Sequence, residues 1–383
     1  MADKRTQKPQ VPIWKKLLIG TASGLYGAAA VVPIGPVIKG TDSPFFQWLR
    51  DSSLDLVIVP LGVILTMLCC FIAAVGLHEV GHVIAGTIAG FRFAFLLFWP
   101  FQIRRRGERG LSFKTTFRTG LGMGGLAGMT PKAGIDLRRG YLKLLAGGPA
   151  ASLFGAIAGI GSFLLLRHTL PPLSAICWCF GIFSLLLCIM SMNPSQAGGF
   201  LSDGAAIKLL RKGTPEQVGP YLATMELSSA WSTGTRPAEW NPAAIDRVIS
   251  VPADDPLSTR APYFAFIHEA DKGDLALASI WMDKIFETID DVPVLLKPQY
   301  HLMNAWLKAR QGLPEEAREL MKQTSGGLTD PCDIAMVEAV IQQAEGKIDE
   351  ARNRARESLS LIGKSMMPDS QSFSRHQCEA ILA

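Results

Sequence analysis

Residues 54–90 read LDLVIVPLGVILTMLCCFIAAVGLHEVGHVIAGTIAG, and this stretch decides the expected fold. Between Asp55 and His78 it holds no charged side chain. A run of this length can cross a bilayer as a helix, because a span takes about 20 apolar residues. The end of the run carries His78, Glu79 and His82. Residues four apart lie on the same face of a helix, so the two histidines can bind one metal ion together.

The HExxH pattern favours a catalytic zinc site. Neutral imidazoles suit zinc, and a catalytic zinc takes a third protein ligand and keeps one position open for water. Glu79 stands next to the histidines, where it can deprotonate that water. The alternative is a polar stripe that packs against neighbouring helices. Ionisable groups at membrane depth are costly and mark functional sites, which favours the metal site.

The composition divides the 383-residue chain into two unlike halves. Residues up to about 210 are apolar and rich in glycine, whereas the rest are polar and charged. The net charge of +5 is concentrated in short segments beside apolar runs, which fits membrane orientation and argues against a nucleic-acid partner. None of the seven cysteines forms a CxxC pair, so we expect free thiols.

The apolar runs predict about four transmembrane helices, at residues 17–38, 54–90, 141–166 and 173–192. A cleaved signal peptide is the alternative for the first run. Residues 92–143 hold eleven Lys or Arg and two acids, which indicates a cytoplasmic loop. We therefore expect a multi-pass protein of a bacterial cytoplasmic membrane, surrounded by lipid, with both termini in the cytoplasm.

The segment after the metal-binding motif has a different pattern. FRFAFLLFWPFQI (91–103) is aromatic, and LSFKTTFR (111–118) alternates weakly, which together predict a small β-hairpin at the membrane edge. We expect GLGMGGLAGMTP (120–131) to be a flexible loop. The expected fold is mainly α: a polytopic membrane domain with this hairpin, followed by a soluble domain of helical hairpins.

Asp203 is the best candidate for the third metal ligand. Asn193-Pro194 and Gly198-Gly199 interrupt the helix before it, and irregular backbone at membrane depth is tolerated where it lines a cavity. The alternative is that Ser202 or Asp203 caps the helix that follows. Both roles can coexist if Ser202 caps the helix and Asp203 binds the metal.

Three motifs in this order resemble the site-2 protease family of intramembrane zinc metalloproteases. They are HEVGH (78–82), AGGPAASLFGA (146–156) and the broken NP…SDG segment (193–204), and the resemblance covers about residues 55–212. It implies zinc ligation by His78, His82 and Asp203, with Glu79 as general base. It also implies that Asn193 reaches the substrate backbone. The chain departs from the family where Ala205 follows Gly204 in place of a second glycine.

The polar half divides into a linker (213–260) and a cytosolic helical domain (261–383). In the latter, a glycine recurs with an alanine five residues later, between amphipathic stretches, at Gly273 and Ala278, Gly312 and Ala317, and Gly346 and Ala351. This spacing resembles tetratricopeptide-like hairpins, which offer a concave face to a protein partner. A plain helical bundle is the alternative.

We therefore expect an intramembrane zinc metalloprotease that cleaves transmembrane segments of membrane-anchored proteins. An exposed strand within 91–118 can bind the unwound substrate by strand addition. The alternative is a non-catalytic membrane scaffold whose tail recruits protein partners. A transporter is less favoured, because the spans contain no inverted repeat.

Overall fold

The computed structural model describes most of the chain from residue 55 onward. The described residues are 55–106, 110–115, 125–132, 134–197, 200–251, 260–292, 294, 296–325, 329–365 and 367–383. The expected first span at 17–38 lies outside them.

Three long helices are apolar enough to cross a membrane: α1 (Asp55–Ile88), α2 (Leu137–Leu166) and α3 (Pro171–Met192). They correspond to three of the four expected spans. Large apolar side chains stay exposed along these helices, as expected for helices that contact lipid. Examples are Leu61, Ile64, Leu65, Phe154, Ile157 and Leu165.

The chain divides into two compact units, of which the first contains α1 up to Leu77 together with residues 151–188. Cys70, Ala175 and Cys179 form its buried core. Within it α2 and α3 meet backbone to backbone, since a Cβ on Gly159 would lie 2.7 Å from the Gly181 backbone. Small residues allow such close packing. All seven cysteines carry free thiols, as predicted.

The second unit contains residues 78–150 and everything after residue 188. Its sheet has four antiparallel strands in the order β3-β2-β1-β4. Their bounds are Phe91–Phe98 (β1), Phe101–Arg106 (β2), Gly110–Thr115 (β3) and Gly125–Pro131 (β4). The predicted hairpin is therefore part of a larger sheet.

The prediction of a loop over 120–131 was wrong for Gly125–Pro131, which forms β4 along β1. A strand ladder uses backbone groups, so glycine can take part in it. Position 128 requires a glycine, because a Cβ there would lie 2.2 Å from the ring of Phe95. The aromatic strand fills the space that the glycine-rich strand leaves.

A short two-stranded ladder, β5 (Gln196–Ala197) and β6 (Phe200–Leu201), precedes the remaining helices of the second unit. These helices are α4 (Asp203–Lys212), α5 (Pro215–Ser232), α6 (Pro242–Ile249), α7 (Ala261–Lys272), α8 (Leu275–Glu287), α9 (Lys297–Arg310), α10 (Pro314–Met321), α11 (Pro331–Ala344), α12 (Ile348–Leu361) and α13 (Ser372–Leu382). The expected linker 213–260 thus contains two helices, α5 and α6. The domain division at 212 and 260 stays a prediction.

Three helix pairs follow, α7 with α8, α9 with α10 and α11 with α12. The glycines between the partners, Gly273, Gly312 and Gly346, all have positive φ, between 78° and 87°. Glycine reaches this left-handed conformation without steric cost and so ends a helix sharply. The alanines five residues later are fully buried, as the spacing predicted. Membership of the tetratricopeptide family stays a prediction.

A small apolar core holds α4 in place within the second unit. It joins Phe91 of β1, Tyr141 and Leu144 of α2, Leu210 of α4 and Tyr221 of α5. The ring of Phe91 meets that of Tyr141 edge to face, with centroids 4.9 Å apart. This core fixes the start of α4, where Asp203 lies.

Candidate metal centre

His78, His82 and Asp203 meet in one buried cluster of the second unit. His78 Nε2 lies 3.2 Å from Asp203 Oδ2, and His82 Nε2 lies 3.5 Å from the same oxygen. The two histidine Nε2 atoms are 3.2 Å apart. Both histidines are at least nine-tenths buried. The structure therefore brings together the three ligands predicted from sequence, two from α1 and one from α4.

The spacing of these three atoms fits a tetrahedral metal ion. Bonds of about 2.0–2.2 Å from zinc to nitrogen or oxygen would place neighbouring ligand atoms roughly 3.3–3.6 Å apart. The observed separations of 3.2, 3.2 and 3.5 Å agree with that geometry. One ligand atom from each of the three residues can thus hold a metal ion and leave the fourth tetrahedral position open.

Neighbouring backbone orients the histidines. His82 Nδ1 lies 2.8 Å from the carbonyl oxygen of Leu144 and donates a hydrogen bond to it. The neutral ring then presents the lone pair of Nε2 to the cluster, which is the usual arrangement of a metal-binding histidine. The α2 helix that supplies Leu144 is thereby part of the site.

Gly148 on α2 explains why this helix must carry small residues opposite the motif. A Cβ on Gly148 would lie 2.3 Å from His82 Nε2 and 2.7 Å from His78 Nε2. It would occupy the space beside the two ligand atoms. The neighbouring Gly147 allows the helices to touch, since its Cβ would lie 2.3 Å from the carbonyl oxygen of Gly81.

Asp203 is placed by the start of α4. Of the two residues considered as the cap, it is Ser202 that caps this helix, through a 3.2 Å hydrogen bond from the Ala205 backbone N–H. The Ser202 hydroxyl also donates to the carbonyl oxygen of Asn193, 2.8 Å away. Gly204 is required because a Cβ there would lie 2.0 Å from the carbonyl oxygen of Met192. The helix cap and the candidate metal ligand are therefore adjacent residues.

The charge state of Asp203 follows from its neighbours. Burial alone would raise the pKa of this carboxyl, but the hydrogen bonds to His78 and His82 outweigh burial and lower the pKa below its usual value. Asp203 is therefore ionised at neutral pH. An anionic oxygen beside two imidazoles is a typical ligand set for zinc.

Glu79 lies beside the cluster and under β4. Its carboxylate interacts electrostatically with both histidines and Asp203 and accepts a hydrogen bond from the Ala127 backbone N–H. A Cβ on Gly125 would lie 2.4 Å from Glu79 Oε1. The glycine of β4 thus makes room for the carboxylate, a role that the sequence pattern did not indicate.

Asn193 does not join the cluster. Its side chain is exposed, and it lines no wall of the cavity that the described residues form around the histidines. The nearby Ser191 and Leu201 do line this cavity. Contact between Asn193 and a substrate backbone stays a prediction.

The cluster opens into a cavity of about 740 Å³. One side contains the cluster, Glu79 and the strand β4. The other side comes from the polar half of the chain, including Tyr221 on α5, Arg260 beside α7 and Tyr300 on α9. Sequence reasoning missed these residues because they lie in the segments expected to be a linker and a separate domain.

Tyr221 and Arg260 determine the electrostatic character of this second side, which is the far wall of the cavity as seen from the histidines. Tyr221 is buried, and burial raises the pKa of its hydroxyl to about 12, so the hydroxyl stays a neutral donor. Tyr221 interacts electrostatically with Arg260 and with Asp203, which connects the far wall to the metal centre. No sequence motif indicates Arg260, since it stands alone before Ala261-Pro262.

Comparisons with family models, with curated proteins and with solved structures gave no match. The argument for function therefore comes from the residues and their geometry.

Proposed function

We propose that the chain is an intramembrane zinc metalloprotease of the site-2 protease type that cleaves transmembrane segments of membrane-anchored proteins. The observation that carries this proposal is the meeting of His78, His82 and Asp203 at zinc-ligand spacing, with Glu79 beside them. A scaffold has no need for such a ligand set at the end of an apolar helix. The cavity beside it provides room for a peptide segment.

When bound, zinc would supply Lewis-acid chemistry: it would lower the pKa of water towards neutrality and polarise a carbonyl group. His78, His82 and Asp203 would hold the ion, and the Leu144 carbonyl keeps the His82 ring in position. Glu79 accepts a proton from the attacking water and returns it to the leaving amine, as a general acid–base must.

The position of Glu79 supports this role. The hydrogen bond from the Ala127 N–H holds the carboxylate against β4 and next to the histidines. Burial removes competing water from around the carboxylate. A base fixed in this way is oriented before the substrate arrives, which lowers the barrier of the proton transfer.

Metal content and cleavage together test the proposal. We expect about one zinc per chain in the detergent-purified full-length protein, measured by elemental analysis, and loss of zinc in His78→Ala and Asp203→Ala. Glu79→Gln should keep zinc but cleave a panel of transmembrane model peptides about 100-fold to 10,000-fold more slowly than wild type.

Two outcomes contradict the proposal. Full cleavage by Glu79→Gln would exclude Glu79 as the base. Wild-type protein that takes up no zinc after reloading would exclude a zinc enzyme and favour the scaffold function. Arg247→Met, on the exposed face of α6, is a matched control that should keep both zinc and cleavage.

A further inference from the structure

The cavity beside the metal centre contains a second polar feature at its far wall. Arg260 stands at the N-terminus of α7, and among the described lining residues it is the single Lys or Arg. The acidic residues among the lining residues are Glu79 and Asp203, both part of the proposed catalytic centre. Among the described lining residues, the positive charge therefore lies on the far wall.

The surroundings of Arg260 are aromatic. It is partly buried and interacts electrostatically with the hydroxyl groups of Tyr221 and Tyr300, both of which are themselves buried. Burial lowers the pKa of the guanidinium, because a charge removed from water loses hydration.

The rest of the lining is largely apolar, with Phe95, Leu144, Met225 and Phe264 among its members. Ligand sites commonly combine such an apolar lining with a few placed polar groups that fix orientation. A guanidinium offers a planar set of N–H donors that matches the two oxygens of a carboxylate. For a peptide ligand, the group that matches this donor set is a carboxylate.

The cavity volume limits what can enter. Two turns of an α-helix with side chains occupy roughly 1,000 Å³, given a diameter of about 11 Å and a pitch of 5.4 Å. The cavity, at about 740 Å³, is smaller. It therefore takes up only a short peptide segment at a time.

We infer that Arg260 binds a carboxylate of the unwound substrate segment and thereby selects which segments the metal centre accepts. This inference rests on the proposed function, which supplies a peptide as the ligand. The carboxylate can come from an Asp or Glu side chain or from a free C-terminus, and the experiment below distinguishes these sources. The C-terminal half of the chain then contributes directly to substrate selection.

The test uses three classes of N-terminally labelled six-residue peptide, eight peptides in all. The first class is a neutral, amidated peptide. The second contains six amidated peptides, each with a single Glu at one of the six positions. The third is a neutral peptide with a free C-terminus. Their binding to zinc-loaded full-length Glu79→Gln protein is measured by fluorescence anisotropy, because this variant is not expected to cleave them. Each peptide is then compared in the Glu79→Gln/Arg260→Met and Glu79→Gln/Arg247→Met proteins.

We expect one carboxylate peptide class to bind about tenfold to hundredfold more tightly than the neutral peptide, the range of a charge-assisted hydrogen bond. This ratio should fall close to one with Arg260→Met and persist with Arg247→Met. Preference for the Glu series identifies an acidic side chain, and preference for the free terminus identifies a chain end. Equal binding of all peptides, or a preference that survives Arg260→Met, overturns the inference.

Arg260→Lys keeps the inference testable if Arg260→Met fails to fold, as judged by circular dichroism and gel filtration. Lysine keeps the charge but lacks the paired donors, so the ratio should fall by about tenfold. An unchanged ratio in folded Arg260→Lys also overturns the inference. Cleavage of the same peptides by wild type separates the two proposals: cleavage without preference contradicts the Arg260 inference alone, whereas binding preference without any cleavage contradicts the protease function alone.

Discussion

At the scale of single residues, the candidate metal centre depends on the absence of side chains at two glycines as much as on the candidate ligands. Gly148 leaves the space beside His78 and His82, and Gly125 leaves the space for Glu79. The sequence showed small residues on α2, and helix packing alone would explain them. The short distances from a Cβ on Gly148 to the two histidine nitrogens connect this glycine directly to the candidate metal site.

Gly148→Ala should therefore weaken metal binding. The added methyl group would lie within 2.3 Å of His82 Nε2, so the rings must move from their ligand positions. We expect zinc affinity to fall at least about tenfold, in the range that loss of supporting groups produces, and cleavage to fall with it. Competition with a zinc chelator measures the affinity.

Gly161→Ala is the matched control on the same helix, because a Cβ at Gly161 meets nothing within 4 Å. It should keep wild-type zinc affinity. Wild-type affinity in Gly148→Ala as well would show that the site can relax around the methyl group, contrary to this prediction.

At the scale of elements, the C-terminal helices are joined by buried polar contacts as well as by their apolar core. Asp333 on α11 accepts a 2.5 Å hydrogen bond from the Ser374 hydroxyl of α13 and contacts Gln299 of α9. Gln299 in turn lines the cavity beside the metal centre. A polar junction among three helices thus lies directly behind the far wall.

This junction should make the helical region sensitive to pH. Burial, with a smaller contribution from the charge of Asp330, raises the pKa of Asp333 to about 7. The folded state therefore favours the protonated carboxyl, while the unfolded chain ionises near pH 4. The free energy of unfolding is therefore highest below about pH 4. It falls as the pH rises from 4 towards 7, by about 4 kcal/mol at most.

Urea unfolding of the full chain at several pH values, followed by tryptophan fluorescence, measures this effect. Asp333→Asn should flatten the decline in unfolding free energy between pH 4 and pH 7, because the amide does not ionise. Asp349→Asn, at an exposed position on α12, should leave the decline in place. An unchanged decline in Asp333→Asn would assign the pH dependence to another group.

At the scale of the whole second unit, its sheet and its C-terminal helices act together around the cavity. Arg104 of β2 donates hydrogen bonds to the carbonyl oxygens of Ser365 and Gly363, the latter 3.1 Å away. Met367 and Ser370, a few residues further on, line the cavity. The sheet therefore helps to fix the turn that closes one side of the cavity.

Arg104→Met should loosen that turn. Loss of hydrogen bonds from a charged, partly exposed group costs about 1 kcal/mol, which corresponds to roughly fivefold faster local opening. Hydrogen–deuterium exchange over residues 362–371 measures the change. Lys114→Met, at an exposed position on β3, is the control, and equal exchange in both variants would contradict a role for Arg104 in holding the turn.

Much of this architecture follows from local patterns in the sequence. Apolar length determined the three described membrane-length helices, and i,i+4 spacing placed His78 and His82 on one face of α1. Capping chemistry placed Ser202 before α4, and Gly273, Gly312 and Gly346 marked the turns of the helix pairs. Each of these features depends on one continuous stretch of sequence, so the local pattern is enough to predict it.

The tertiary structure alone decided the rest. It placed Asp203, which the sequence had only named as a candidate, within 3.5 Å of histidines more than a hundred residues away. It also made a strand of a glycine-rich segment by pairing it with β1. It also brought Arg260 and Tyr221 to the cavity of the metal centre. These outcomes depend on contacts between distant segments, and the packing of the whole unit determines such contacts, whereas local sequence periodicity does not.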